Sequence, residues 1–403
     1  MTIVIAGASL AGVNAAETLR SEGFTGPIVM IGSEPDLPYE RPPLSKGYLL
    51  GSDELDSVFV HPAQWYQDQD IELRLSTTVT AIDPAGKTVT VDDGAQIGYS
   101  KLLLATGARP RRLDLAGNVF YLRDVRDSQR LKAALQLGAH VAVIGAGWIG
   151  LEVAAAARSH GCQVTVIEMD SLPLRKVLGD EVATIYRDLH TSHGVTFHFG
   201  RSVAGSGENA ITLDDGTIIP AGVIVVGVGI QPNTELASDA GLAVDNGVVV
   251  SSSLVTSDPD IFACGDIANW EHPLLGTRIR VEHWENARQS GQLVARSLLG
   301  QDVAYDWIPY FYSDQYDAGM EYSGWTGDGY EEVVFRGSAE AREFIAFWLK
   351  EGRVVAGMNV NVWDVQDDIR ALIAASARGL TVSAADLANP EVALLSLREA
   401  GSA

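Results

Sequence analysis

The chain has 403 residues, 46% hydrophobic and 20% charged, the make-up of an ordinary globular protein with room for two or three domains. Its 52 acidic and 29 basic residues give a formal net charge of −23, which argues against a nucleic-acid partner because phosphate attracts a basic surface. No apolar run reaches the roughly 18 to 20 residues needed to span a bilayer, and the N-terminal apolar stretch has no basic leader, so neither a membrane anchor nor a signal peptide is expected.

The chain opens as a buried strand, Thr2-Ile-Val-Ile-Ala6, that runs into Gly7-Ala-Ser-Leu-Ala-Gly12 and then a helix. In such a turn the glycines let backbone approach a pyrophosphate, which sits on the exposed N–H groups of the helix N-terminus. Ser9 replaces the middle glycine of the G-x-G-x-x-G pattern, which weakens that phosphate contact. A second strand, Pro27-Ile-Val-Met-Ile31, leads to Glu34, an acid placed to accept from a ribose hydroxyl. Gly7, Ser9, Ala11, Gly12 and Glu34 are the candidate binding residues of this unit. A proline-rich loop, Pro38-Tyr-Glu-Arg-Pro-Pro-Leu-Ser-Lys46, comes next, and the alternation in Thr88-Val-Thr-Val91 predicts an antiparallel excursion. Leu102-Leu-Leu-Ala-Thr-Gly107 reads as a buried strand ending in a tight turn, and Arg109-Pro-Arg-Arg112 as a linker.

A second strand–turn–helix follows, His140-Val-Ala-Val-Ile144 and Gly145-Ala-Gly-Trp-Ile-Gly150, with its own acid, Glu168, after Gln163-Val-Thr-Val-Ile167. One glycine turn is weak evidence; two imply two dinucleotide sites, the arrangement for moving electrons between a nicotinamide and a flavin. Glu168 can accept from the 2′-hydroxyl of NAD and would repel the 2′-phosphate of NADP. Met169 and Asp170 supply no arginine to reverse that choice, and Arg175 and Lys176 are placed for the pyrophosphate. The two cysteines, Cys162 and Cys264, lack C-x-x-C spacing, so no disulfide framework, cysteine-ligated cluster or redox-active pair is expected, and a cytoplasmic location is. His190, His193 and His198 lack a completing carboxylate or thiol, so they read as surface residues at a helix end and no metal site is expected.

This second unit ends in Val223-Ile-Val-Val226, and Ile230-Gln-Pro-Asn233 reads as the return linker. Asp260-Ile-Phe-Ala-Cys-Gly-Asp266 is another strand ending in an exposed acid. From Ile308 the pattern changes, with strands at Glu343-Phe-Ile-Ala-Phe-Trp348 and Val354-Val-Ala-Gly-Met358 and helices after Val365. The expected organisation is α/β: a first dinucleotide domain at 1–110 and 230–307, a second inserted at 111–229, and an α+β domain at 308–403.

Taken together, these segments resemble the FAD-dependent, NADH-linked ferredoxin reductases that feed electrons to cytochromes P450 and Rieske oxygenases. The motifs that carry the resemblance are the two glycine turns, Arg41-Pro-Pro-Leu-Ser-Lys46, Ala105-Thr-Gly-Ala-Arg-Pro110, Ile261-Phe-Ala-Cys-Gly-Asp266 and Tyr312-Ser-Asp-Gln315. The resemblance implies a glutathione-reductase-like pair of Rossmann-like domains, with FAD in the N-terminal site and NADH in the second. It adds Arg41, Pro42, Lys46, Ala105, Thr106, Gly107, Arg109, Asp266, Glu282, His283, Trp284 and Tyr312 to the FAD site. Gly145, Gly147, Ile149, Gly150, Glu168 and Arg175 fall to NADH.

Within that set, Asp266 would bond the ribityl chain, and the backbone at Glu282, His283 and Trp284 would face the pyrimidine end of the flavin ahead of a helix. Lys46 would lie beside flavin N5 and pair with Glu152. Trp148 would either cover the isoalloxazine until nicotinamide displaces it or pack beneath its helix. Tyr312 would cap one flavin face. Ser45 cannot form a sulfenate and no cysteine lies near residues 42–46, so electrons would leave by outer-sphere transfer to a [2Fe–2S] ferredoxin. The complex would be transient and the reductase a monomer or weak homodimer. Arg278, Arg280, Arg288 and Arg296 are candidates for steering the partner. Alternative acceptors are a rubredoxin, a nitrite reductase or a small quinone, and a further alternative is a signalling flavoprotein resembling the apoptosis-inducing factors.

Overall fold

A computed structural model describes residues 1–398, which fall into two units. The first unit comprises Met1–Glu40, Leu55–Arg109 and Gln231–Pro309. Its centre is a five-stranded parallel sheet in the order Ile261–Ala263, Lys101–Leu104, Ile3–Ala6, Ile28–Ile31, Ile71–Arg74. All four residues of Ile3–Ala6 and of Ile28–Ile31 are buried, the continuous apolar run of a strand covered on both faces. The helices Leu10–Ser21 and Trp284–Leu298 pack at close range, because Gly291 lets backbone approach where a Cβ would stand 2.5 Å from the Ala11 carbonyl oxygen. Thr88–Val91 pairs antiparallel with both Val79–Asp83 and Gln96–Gly98.

The second unit comprises Arg41–Glu54, Pro110–Ile230 and, of the described residues, 310–398. A parallel sheet runs Val195–Phe199, Gln163–Glu168, His140–Ile144, Val223–Val226, Val119–Phe120. An antiparallel sheet runs Tyr310–Gln315, Ala318–Gly324, Arg353–Val360, Glu343–Lys350, Glu332–Ser338. The two share one apolar core, in which Val143, Val166, Leu178 and Tyr186 meet Phe311, Tyr322, Trp348 and Met358. The segment expected from 308 as a domain of its own therefore shares its core with the second nucleotide unit. The helix Arg175–Ser192 breaks at Gly179 (φ 78°), and side chains of the antiparallel sheet and of the connection after its strand Ala318–Gly324 answer the freed carbonyls. Trp348 Nε1 donates to Leu178 O at 3.1 Å, and the Thr326 hydroxyl donates to Val177 O at 3.3 Å.

Candidate active site

In the first unit Gly7 turns the chain at φ 125°, and a Cβ there would lie 2.1 Å from the Ala105 carbonyl oxygen. The Ala105-Thr106-Gly107 segment thus lies directly against the glycine turn. Gly12 is equally constrained, since its Cβ would fall 2.2 Å from Gly7 O. Ser9 caps the helix Leu10–Ser21 with extended backbone and no capping hydrogen bond from its hydroxyl, so the helix's first N–H groups face the turn unsatisfied by a side chain. That is the requirement for a pyrophosphate, and the turn fits FAD in this respect. Glu34, beyond the second strand, accepts from the Tyr39 hydroxyl. Ala11 packs against Gly265 and Gly291.

Thr106 donates to Asn233 O at 3.1 Å and accepts at its carbonyl from Asn233 Nδ2 at 2.8 Å. Arg109 is exposed; it donates to Asn233 Oδ1 at 2.7 Å and pairs with Glu235, tying down the return segment. Asp266 sits half-buried in the short helix Gly265–Ile267, whose Gly265 N–H is held by Ser290 Oγ at 2.9 Å. His283 caps the helix Trp284–Leu298 next to Glu282, and desolvation pulls its imidazole below the ordinary value while the Asp266 carboxylate opposes it.

In the second unit Gly145 (φ 98°) and Gly150 are closed positions: their Cβ atoms would fall 2.4 Å from Gly227 O and 2.1 Å from Gly145 O. Gly147 is the opposite case, with nothing within 4 Å of a Cβ. It caps the helix Trp148–Ser159 with extended backbone, so the turn opens onto space at a helix N-terminus, which fits a second pyrophosphate. Glu168 Oε2 accepts from Ala146 N at 2.7 Å and Oε1 from Asp170 N at 2.8 Å, which aims the carboxylate along the turn. Ile149 is exposed. Arg175 starts its helix and pairs with Asp170 at 3.2 Å and with Asp180.

A third cluster lies within the second unit, on the helix that follows the glycine turn. Arg41 donates to Arg123 O, and the prolines Pro42 and Pro43 start the short helix Pro42–Ser45, where missing N–H groups cost nothing. The chain then delivers Lys46 to Glu152, with Nζ 2.8 Å from Oε1 and the carboxylate 3% exposed. Ser45 donates to Oε2 of the same carboxylate and Ser313 to Oε1 at 2.6 Å. Tyr312 lies under the ammonium, 5.3 Å from Nζ to the ring centre. A buried charge left without partners would be costly, and here each carboxylate oxygen is met by a donor. Trp148 stands edge-on to Tyr186 and Phe311 at 5.5 and 5.1 Å.

One expectation changes. His190 is not a surface residue: it is fully buried, its Nε2 is 2.7 Å from Gln315 Oε1, and burial pulls its imidazole down to about 4. The arginines expected to steer a partner are already engaged. Arg280, Arg288 and Arg296 pair with Glu282, Glu285 and Glu22, and Arg278 donates to the carbonyls of Val250 and Asn269. Ser45, Ser313 and Gln315 were absent from the expected site residues. Their signal was in the sequence: the strand Tyr310–Gln315 alternates, and its buried face carries Ser313 and Gln315 where apolar residues would be usual.

The sequence matches the pyridine nucleotide-disulphide oxidoreductase family over residues 1–291 and the reductase C-terminal family over residues 310–398. It is 43% identical over 402 residues to the ferredoxin–NAD(+) reductase component of an anthranilate 1,2-dioxygenase system from Burkholderia cepacia, across 97% of this chain and 98% of that one. With putidaredoxin reductase from Pseudomonas putida it shares 37% identity over 373 residues, 89% of this chain and 88% of the relative. The crystal structure of a covalent putidaredoxin reductase–putidaredoxin complex matches with a TM-score of 0.93 at 35% identity, covering 100% of this chain and 99% of the other. Two nucleotide turns, a reductase C-terminal domain and these full-length likenesses place the chain in one family: it belongs to the pyridine nucleotide-disulphide oxidoreductases, among the FAD- and NADH-dependent ferredoxin reductases.

Proposed function

We propose that this protein oxidises NADH and delivers single electrons to a [2Fe–2S] ferredoxin serving a cytochrome P450 or Rieske oxygenase. The observation that carries the exit route is the state of the thiols. Cys162 and Cys264 are both buried and unpaired, and Ser45 occupies the loop where a thiol-using relative would need cysteine. Electrons therefore have no thiol to leave by, which favours a docked protein acceptor. The relatives named for ferredoxin reduction, and the solved complex with putidaredoxin, agree with that exit.

FAD supplies the two-electron to one-electron conversion when it is bound. The chain's residues bind and orient. Gly7, Ser9 and Gly12 would receive the pyrophosphate of FAD, Glu34 its ribose, and Asp266, Glu282, His283 and Trp284 its flavin end. Gly145, Gly147 and Gly150 would receive NADH, with Glu168 selecting the 2′-hydroxyl and Arg175 close to the phosphates. Lys46, held by Glu152, would place a fixed positive charge beside flavin N5, where negative charge develops on reduction.

The test is NADH-driven cytochrome c reduction by the purified yellow protein, with and without a panel of [2Fe–2S] ferredoxins, with oxygen uptake recorded alongside. Strict dependence on a ferredoxin with little oxygen uptake is expected. Rapid NADH consumption that ignores every ferredoxin would replace this reading with a small-molecule or oxygen acceptor.

A further inference from the structure

His190 is buried, titratable and absent from the roles assigned above, yet it is joined to Glu152 by an unbroken series of hydrogen bonds inside the second unit. His190 Nε2 lies 2.7 Å from Gln315 Oε1, Gln315 Nε2 lies 3.1 Å from Ser313 Oγ, and Ser313 Oγ lies 2.6 Å from Glu152 Oε1. The other imidazole nitrogen, Nδ1, faces the Tyr316 hydroxyl at 3.5 Å. His190, Gln315, Ser313 and Glu152 are all at most 3% exposed, so water cannot substitute for a lost partner.

The series has a direction. An amide oxygen only accepts, so His190 must carry its proton on Nε2 to meet Gln315 Oε1. With its oxygen so occupied, Gln315 turns its NH2 group to Ser313 and fills a lone pair of that hydroxyl. The Ser313 proton is then left for Glu152. Were the amide reversed, Ser313 would face a second acceptor and could turn its proton away from the carboxylate. Glu152 would then be short of one of the donors that hold it under Lys46.

We infer that His190 is a positioning residue for the Lys46–Glu152 pair, acting through the amide of Gln315 and the hydroxyl of Ser313. The inference rests on the reading that Lys46 works on the flavin. It explains why polar residues occupy the buried face of the Tyr310–Gln315 strand, where leucine or valine would bury more apolar surface. It also assigns the Tyr312-Ser-Asp-Gln315 motif a task beyond packing.

The experiment uses the FAD-loaded enzyme and compares His190→Phe, His190→Gln, Ser313→Ala and the double variant His190→Phe/Ser313→Ala, with Lys46→Met as reference. His190→Phe removes the donor, whereas His190→Gln keeps an N–H at the same reach. Removing one buried hydrogen bond should slow flavin reduction at saturating NADH by about tenfold in His190→Phe and in Ser313→Ala, with the NADH KM unchanged. His190→Gln should recover to within about twofold, and the double variant should lose no more than Ser313→Ala alone, since both cut the same series. Nitrogen-15 histidine spectra of the wild-type holoenzyme should show His190 protonated on Nε2.

A proton on Nδ1 would overturn the inference whatever the kinetics. So would a wild-type rate in His190→Phe, or losses that simply add in the double variant, provided Lys46→Met is slow. If His190→Phe fails to fold, Ser313→Ala and His190→Gln decide: a wild-type rate in the first, or a tenfold loss in the second, refutes it. A wild-type rate in Lys46→Met would show instead that the flavin role of Lys46 is wrong, and the inference falls with it.

Discussion

Gly147 and Gly150 stand three residues apart in one turn, yet the same substitution has different consequences at each. A methyl on Gly150 would lie 2.1 Å from the backbone oxygen of Gly145, which cannot move without breaking the strand-to-helix turn. Gly150→Ala should therefore destabilise the second unit by about 3 kcal/mol or more, a steric loss with nowhere to relax. A methyl on Gly147 meets no atom within 4 Å and sits on extended backbone at φ −77°, so Gly147→Ala should cost no more than about 1 kcal/mol. Its effect should fall on the nucleotide: the NADH KM is expected to rise at least tenfold while FAD content per chain stays at the wild-type level. Urea melts, flavin absorbance and steady-state kinetics on the two variants separate the effects. Normal NADH affinity in Gly147→Ala would mean that the pyrophosphate does not approach this turn.

The helix Arg175–Ser192 and the strand Tyr310–Gln315 meet at a buried imidazole, and that contact gives the second unit a pH dependence. Burial holds folded His190 at about 4, against an ordinary value near 6.5. Between those values the unfolded chain binds a proton that the folded chain does not. The stabilisation is complete above about pH 6.5 and is lost as pH falls toward 4, by about 3 kcal/mol at the lower end. Urea melts from pH 7 to 4 should show this loss in the wild type and a flatter curve in His190→Gln; parallel curves would show that another group carries the dependence.

The same contact shows what could be read from the sequence. The parallel strands and both glycine turns were legible because each is local, an apolar run with a glycine at a fixed offset. The pairing of Lys46 with Glu152 came from the resemblance, and no local pattern announces it. His190 was misread because a histidine near a helix end looks solvated until the strand that covers it is known, and that strand begins more than a hundred residues later. The shared core of the second unit was hidden for the same reason: Trp348 and Leu178 are 170 residues apart, and only the fold brings them into a hydrogen bond.

Charge is the property that belongs to the whole chain. A net −23 places long-range repulsion between this protein and any ferredoxin that is itself acidic. Local basic residues could reverse that sign, but Arg280, Arg288 and Arg296 each have a carboxylate partner within the first unit, and Arg278 is spent on backbone carbonyls. Neutralised pairs of this kind steer weakly, because an approaching charge sees both members at similar distance. Screening should therefore help association. Raising ionic strength from about 0.01 M to about 0.15 M shortens the Debye length from about 30 Å to about 8 Å, and the KM for an acidic ferredoxin should fall over that range. The NADH-side kinetics, measured with a small neutral acceptor, serve as the control for effects on the enzyme itself. A KM that rises with salt instead would show an attractive patch on the surface. Charge-reversal at Arg288 then separates the cases: if that helix forms the patch, the salt slope should shrink in the variant, and if it does not, the slope should stay as it was.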